Sequence, residues 1–97
     1  MRVAVLADEI TATGWHLAGA SVHVPQQSEA DEVLARTIPQ ADLLLITADV
    51  ATWLGPRALA DALDGTQPLA LVIEPLRGGA QPADIGQYVR RALGVDA

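Results

Sequence analysis

Two nearly uninterrupted apolar runs constrain the fold of this chain more than any other feature. They read DLLLIT at Asp42–Thr47 and LALVIE at Leu69–Glu74. A strand with apolar residues at consecutive positions must be covered on both faces, as in the interior of a parallel sheet. Two shorter runs, Arg2–Ala7 and Ser21–Val24, predict two more strands, and the alternation within the second is typical of an edge strand.

The segment after the first strand predicts a short helix, with Gly14 inside it and Gly19 at its end. Its apolar stripe is expected to consist of Ile10, Gly14, Leu17 and Ala18. Because Gly14 has no side chain, the helix can approach the sheet closely at that point. Trp15 lies beside this stripe rather than within it.

The second helical pattern begins with a capping-box pair, Ser28 and Asp31, and ends just before Pro39. The members of its apolar stripe recur at helical spacing: Ala30, Val33, Leu34 and Ile38. This stripe predicts an amphipathic helix that packs on the sheet.

Two more helical patterns follow. The third begins near Asp49 and is interrupted at Gly55-Pro56, where Pro56 is suited to a new first turn. It closes at Asp64-Gly65. The last and most regular stripe is Ile85, Tyr88, Val89, Ala92 and Leu93.

Strands that alternate with helices predict an α/β fold. The expected architecture is a four-stranded parallel sheet in the order 2-1-3-4 with helices on both faces, a receiver-like or Rossmann-like three-layer sandwich. The length of 97 residues is that of one domain, which we expect to span residues 1–97. Two Gly and two Pro make Pro75–Pro82 a mobile loop before the final helix.

Composition excludes several classes of function. The chain contains twelve acidic residues, six Arg and no Lys, which gives a net charge of −6. This negative charge argues against nucleic acid and anionic lipid as partners. The absence of Cys excludes a disulfide framework and a thiol nucleophile. No apolar run approaches a membrane span, and no signal-peptide pattern precedes the first strand. We therefore expect a cytoplasmic protein without direct membrane insertion.

Acidic residues follow three of the predicted strands, at the edge where parallel α/β sheets bind ligands. They are Asp8, Glu9, Asp49 and Glu74. Such carboxylates can bind Mg²⁺, as in the receiver domains of two-component signalling. A receiver also needs an Asp at the end of the third strand, where Thr47 stands, and a Lys, which is lacking. A receiver-like signalling or ligand-binding module remains the alternative; the simpler interpretation is that these acids cap helices.

Other catalytic patterns are missing. No glycine-rich phosphate loop follows a strand, and Ser21 and Ser28 lack a neighbouring base. His16 and His23 have no metal-ligand spacing. We expect no catalytic, cofactor-binding or metal-binding residue, and hence a protein that is not an enzyme.

Four residues are candidates for contact with a partner protein. Trp15 and its neighbour His16 border the stripe of the first helix, and tryptophans at such borders often anchor interfaces. Arg90 and Arg91 project from the last helix if its stripe faces the core. Trp53 borders its own stripe and is a weaker candidate; a half-buried position at the edge of the core explains both tryptophans equally well.

The opening turn and helix resemble a known family. Residues 8–19 follow the pattern D-E-x-T-x-T-G-x-x-L-A-G, which is similar to the first turn and helix of the F subunit of the archaeal/vacuolar-type (V/A-type) rotary ATPases, where the helix reads close to T-x-x-G-F-R-L-A-G. Weaker matches are Leu43–Thr47, Leu69–Glu74 and Arg90–Gly94. The loop sequence PLRGG and the absence of Lys depart from the family pattern.

The resemblance implies a non-catalytic rotor subunit. Members of that family bind the coiled-coil axle, the D subunit, in the central stalk between the catalytic A/B head and the membrane ring. There they help to couple ATP hydrolysis or synthesis to ion transport, and they modulate activity. The implied location is cytoplasmic, peripheral to the membrane through the ATPase complex.

Overall fold

The computed structural model describes residues 1–76 of the chain. This part contains four strands and four α-helices, and one or two α-helices separate each pair of consecutive strands. In chain order they are β1 (Val3–Leu6), α1 (Glu9–Leu17), β2 (Ser21–His23), α2 (Ala30–Thr37), β3 (Leu43–Thr47), α3 (Ala48–Ala51), α4 (Pro56–Asp64) and β4 (Leu69–Ile73). Short 3₁₀ turns precede and follow α2, at Gln27–Glu29 and Ile38–Gln40.

The four strands form one sheet in the order β2-β1-β3-β4, and every neighbouring pair is parallel. Both the parallel pairing and the order predicted from the sequence are confirmed. The central position of β3 explains its composition, because all five of its residues are buried. Parallel neighbours require crossovers, and the helices supply them.

Side chains alternate across the central strands, so the sheet separates two apolar layers. Val5, Leu43 and Leu45 face the layer that α1 covers. Leu6, Leu44 and Ile46 face the opposite layer, to which α2, α3 and α4 contribute. The α/β sandwich with helices on both faces is therefore the observed architecture.

The buried face of α1 differs from the predicted stripe. Ile10 and Leu17 are exposed, whereas Thr11, Ala12 and Trp15 are buried together with Gly14. The prediction was wrong by about one residue, which is roughly 100° around a helix. Of the predicted stripe only Gly14 lies on the buried side.

The beginning of α2 also differs from expectation. Ser28 lies in the 3₁₀ turn, and no side chain caps the first turn of α2. Asp31 instead accepts a hydrogen bond from the backbone N–H of Gly55, at 2.9 Å. The predicted capping box is wrong because the carboxylate of Asp31 bonds to the residue that precedes α4.

The interruption of the third helical pattern is confirmed. Gly55 is the N-cap residue of α4, Pro56 opens its first turn, and α4 ends at Asp64. Proline is well tolerated there, because a first-turn N–H has no partner within the helix. The predicted final helix and most of the Pro75–Pro82 loop lie outside the described residues. Within residues 1–76, no helix combines the length and the apolar character that spanning a membrane requires.

Candidate functional site

The acidic edge of the sheet begins with Asp8, the N-cap residue of α1. Its Oδ2 accepts a hydrogen bond from the backbone N–H of Thr11, at 3.1 Å, and its Oδ1 accepts one from the Thr11 hydroxyl, at 2.5 Å. Both oxygens are therefore engaged in holding the start of the helix. The interpretation of this acid as a helix cap is confirmed.

Thr11 connects this cap to the segment after β4. Its Oγ1 donates to Asp8 and accepts a hydrogen bond from the backbone N–H of Leu76, at 2.8 Å. A buried threonine thus ties two segments that lie 65 positions apart in the sequence. Sequence reasoning placed Thr11 in the pattern of residues 8–19 but gave it no structural role, although its spacing from Asp8 is that of a capping pair.

The end of β3 does not present a phosphoacceptor. Thr47 is fully buried, and its hydroxyl donates to the carbonyl oxygen of Leu6 on β1, at 3.5 Å. Asp49 follows in the first turn of α3, with Oδ1 buried and without a hydrogen-bond partner among the described residues. Thr47, which stands where a receiver domain has its phosphoacceptor Asp, therefore points into the core.

No group of three or more histidine, aspartate or glutamate side chains that could hold a metal ion occurs among residues 1–76. Glu9 and Glu74 are exposed beside the edge. The edge of the sheet thus carries a structural cap at Asp8 and a buried hydroxyl at Thr47. This geometry does not favour the receiver-like alternative.

The four partner-binding candidates have different outcomes. Trp15 is only 1% exposed and lies in the layer beneath α1, so its placement on a surface was wrong. His16 is exposed in the last turn of α1 and stays a prediction. Arg90 and Arg91 lie outside the described residues. Trp53 is half-buried against the opposite layer, as a residue at the edge of the core would be.

An apolar cleft lies between α2 and α4 and has a volume of about 290 Å³. Leu44 and Ala70 form its floor, and the helices contribute mainly Leu34, Ala58 and Ala62. Two aspartates, at positions 31 and 61, are the charged residues that line it, and none of the described lining residues is basic. Sequence reasoning did not predict this cleft.

A smaller and more polar pocket of about 150 Å³ lies between the end of β2 and the end of α2. His23, Arg36 and Gln40 line it, together with Thr37. The Thr37 hydroxyl is already bonded to the carbonyl oxygen of Val33, at 2.7 Å. Residues of α2 line both the cleft and this pocket.

Comparison with known proteins identifies the fold. No protein-family model matches the sequence, and no curated protein sequence matches it. Among solved structures, the chain is similar to the F subunit of the V-type ATP synthase from Archaeoglobus fulgidus, with a TM-score of 0.63 and 17% sequence identity. The match covers 74% of this chain and 95% of that one. It shows that the two proteins share a fold over nearly the whole length of the archaeal subunit.

Proposed function

We propose that this chain is a non-catalytic component of the central stalk of a V/A-type rotary ATPase, equivalent to the F subunit. In this role it binds the coiled-coil axle, the D subunit, and through it communicates with the A/B head and the membrane ring. It couples ATP hydrolysis or synthesis to ion transport, such as proton transport, and modulates the rate. It is then cytoplasmic and peripheral to the membrane.

The observation that carries this proposal is the shared fold with the archaeal F subunit. At 17% identity the likeness concerns the fold, and one fold serves many functions. The D-E-x-T-x-T-G-x-x-L-A-G pattern of residues 8–19 adds a resemblance in sequence at a defined place. One observation concerns backbone geometry and the other residue identities, and both favour the same family.

The acidic edge supports a non-catalytic role. Each oxygen of the Asp8 carboxylate accepts a hydrogen bond from Thr11, so this side chain has a structural role at the start of α1. Thr47 offers no nucleophile at the surface, since its side chain is fully buried. These residues hold α1 and β3 in place, which suits a protein that transmits force through a rigid body.

The proposal is tested by reconstitution. An A/B head with its coiled-coil axle, prepared without the F subunit, is mixed with this chain, and the mixture is separated by size exclusion. We expect one copy of the chain per axle and a changed rate of ATP hydrolysis. A chain that elutes alone and leaves the rate unaltered contradicts the proposal.

Exposed His16 provides a residue-level test in the same assembly. If the end of α1 contacts the axle, His16→Ala weakens incorporation. Thr13→Ala is a suitable control, because Thr13 is also exposed on α1, and its hydroxyl bonds to the Glu9 carbonyl within the helix. Equal incorporation of the two variants removes His16 from the interface without affecting the larger proposal.

A further inference from the structure

We propose that the cleft between α2 and α4 is a docking site for a basic amphipathic helix of a partner protein. This surface lies on the side of the sheet opposite to α1, and its occupant need not be the axle, so the inference goes beyond the proposed stalk function. Three features of the cleft carry it: the unfilled volume, the apolar walls and the sign of the charge.

The volume arises because small side chains stand where the two helices face each other. Ala35 on α2 and Ala58 and Ala62 on α4 line the cleft, together with Gly65. None of the residues of α4 is fully buried, although Ala58, Leu59 and Ala62 pack against the apolar layer on this side of the sheet. The cleft of about 290 Å³ is just below the roughly 300–1,000 Å³ that small-molecule pockets occupy, so it suits a few aliphatic side chains better than a cofactor.

The walls of the cleft favour an apolar occupant. Its floor consists of the buried residues Leu44 and Ala70, and Leu34 and half-buried Ile38 stand on the α2 side. Aliphatic side chains that enter the cleft leave water and gain contact with these groups. A helix that lies in a groove presents such side chains at positions i, i+3 or i+4, and i+7.

The charge of the cleft specifies the partner further. Asp31 and Asp61 line it, and neither forms an ion pair with another residue of the described part of the chain. The bond from Gly55 N–H holds the Asp31 carboxylate in place, whereas exposed Asp61 can turn toward a ligand. With a net charge of −6 on the whole chain, Lys or Arg beside the apolar stripe of the partner is the complementary choice.

The probe is a synthetic helical peptide with a leucine stripe flanked by Lys, compared with the same peptide carrying Glu in place of Lys. Amide chemical shifts of the full-length chain are followed as each peptide is added. We expect shifts concentrated at the cleft residues of α2 and α4, and tighter binding of the Lys peptide by about tenfold at low salt, which decreases as salt is added. Shifts concentrated on α1, or equal affinities of the two peptides, overturn the proposal.

Matched variants test the position of the site. Asp61→Lys should weaken binding of the Lys peptide about five- to tenfold, because an attraction at the rim of the cleft becomes a repulsion. The control is Asp64→Lys, since Asp64 is also exposed on α4 but lies outside the cleft, and it should change the affinity less than about twofold. Ala35→Leu fills the cleft and weakens binding of both peptides, while Ala60→Leu on the exposed side of α4 does not. All four substitutions are at exposed positions, so the fold is retained.

Two other occupants give distinguishable results that overturn the proposal. If residues 77–97 of the same chain fill the cleft, neither peptide binds, and Arg90→Glu together with Arg91→Glu alters the shifts of α2 and α4. If a second copy of the chain fills it, sedimentation shows a dimer that Asp61→Lys dissociates. A monomer with an accessible cleft is the state that the proposal requires.

Discussion

Replacement of Trp15 by alanine tests the central packing of the fold. Trp15 is the largest of the fully buried side chains among residues 1–76, and it lies between α1 and the sheet among smaller aliphatic residues, chiefly Val5, Leu43, Leu45 and Ile73. Alanine at this position leaves a cavity that valine and leucine side chains cannot close without moving the backbone.

The expected cost is about 3–5 kcal/mol, the usual range for truncating a buried tryptophan. A domain of this length has a free energy of unfolding of roughly 5–15 kcal/mol, so the variant loses about a fifth or more of its stability. With a urea m-value of about 2 kcal/mol/M, a loss of about 4 kcal/mol lowers the midpoint of unfolding by about 2 M.

The measurement is urea unfolding followed by far-UV circular dichroism, which does not depend on tryptophan emission. If Trp15→Ala does not fold, Trp15→Phe serves in its place, because phenylalanine keeps most of the packing and this variant should remain folded. His16→Ala, at the exposed neighbouring position, changes stability by no more than about 0.5 kcal/mol. Trp53→Ala, at a half-buried position, costs about 1–2 kcal/mol.

Fluorescence gives a second readout on the same residue. A Trp53→Phe variant reports Trp15 alone, and its emission should be blue-shifted and protected from acrylamide. Red-shifted emission with free quenching, or a loss below about 1 kcal/mol in Trp15→Ala, would refute the placement of Trp15 in the core.

Three further predictions concern local structure. Asp8→Ala should lower the free energy of unfolding by about 1–2 kcal/mol in thermal unfolding, because the cap of α1 and the acceptor of the Thr11 hydroxyl are lost together. In the control Glu9→Ala, the free energy of unfolding should change by no more than about 0.5 kcal/mol. Gly19 has φ +95°, so Gly19→Ala costs about 1–2 kcal/mol in the same assay; Gly65→Ala at φ −72° serves as the control and should be nearly neutral. The backbone N–H of Arg2 and its guanidinium hold the pKa of Asp42 below its ordinary value of 3.8. Because the pKa of Asp42 is lower in the folded state, the ionised carboxylate stabilises the fold above about pH 4, and this stabilisation is lost as the pH falls below that value. When the pH is lowered from about 5 to about 3, the free energy of unfolding from urea titrations should therefore decrease less for Asp42→Asn than for the native chain.

The strands and their order could be predicted because each strand corresponds to its own short apolar run in the sequence. Leu43–Thr47 is apolar at nearly every position, and only a strand covered on both faces accommodates that pattern. The chain order of strands and helices then leaves few topologies. The break before Pro56 was likewise visible, since proline restricts the backbone by itself.

The buried face of α1 could not be predicted from apolar spacing alone. Thr11 looks like a surface residue, but its hydroxyl bonds to both Asp8 and the distant backbone of Leu76, which satisfies its polar group in the core. Once Thr11 turns inward, Trp15 one turn later must follow it, and Ile10 and Leu17 turn outward.

The role of Asp31 was missed for a related reason. Its spacing from Ser28 is that of a capping box, but its hydrogen-bond partner Gly55 lies 24 positions away. A contact of that range depends on how α2 and α4 are placed on the sheet, which spacing along one helix does not specify.

The cleft between α2 and α4 was also invisible in the sequence. Alanines on a helix favour close packing as readily as they leave a gap, and only the positions of α2, α4 and β4 show that Ala58 and Ala62 leave space open. The charges at its rim come from two helices that are remote in sequence. Their juxtaposition is a property of the tertiary structure.

The most direct test of the central claim is native mass spectrometry of this chain expressed together with the coiled-coil axle of a V/A-type ATPase. We predict a complex with one copy of each chain that survives transfer from a buffer of physiological ionic strength. Separate ions of the two chains, with no complex at concentrations on the order of tens of micromolar, would contradict the assignment to the central stalk.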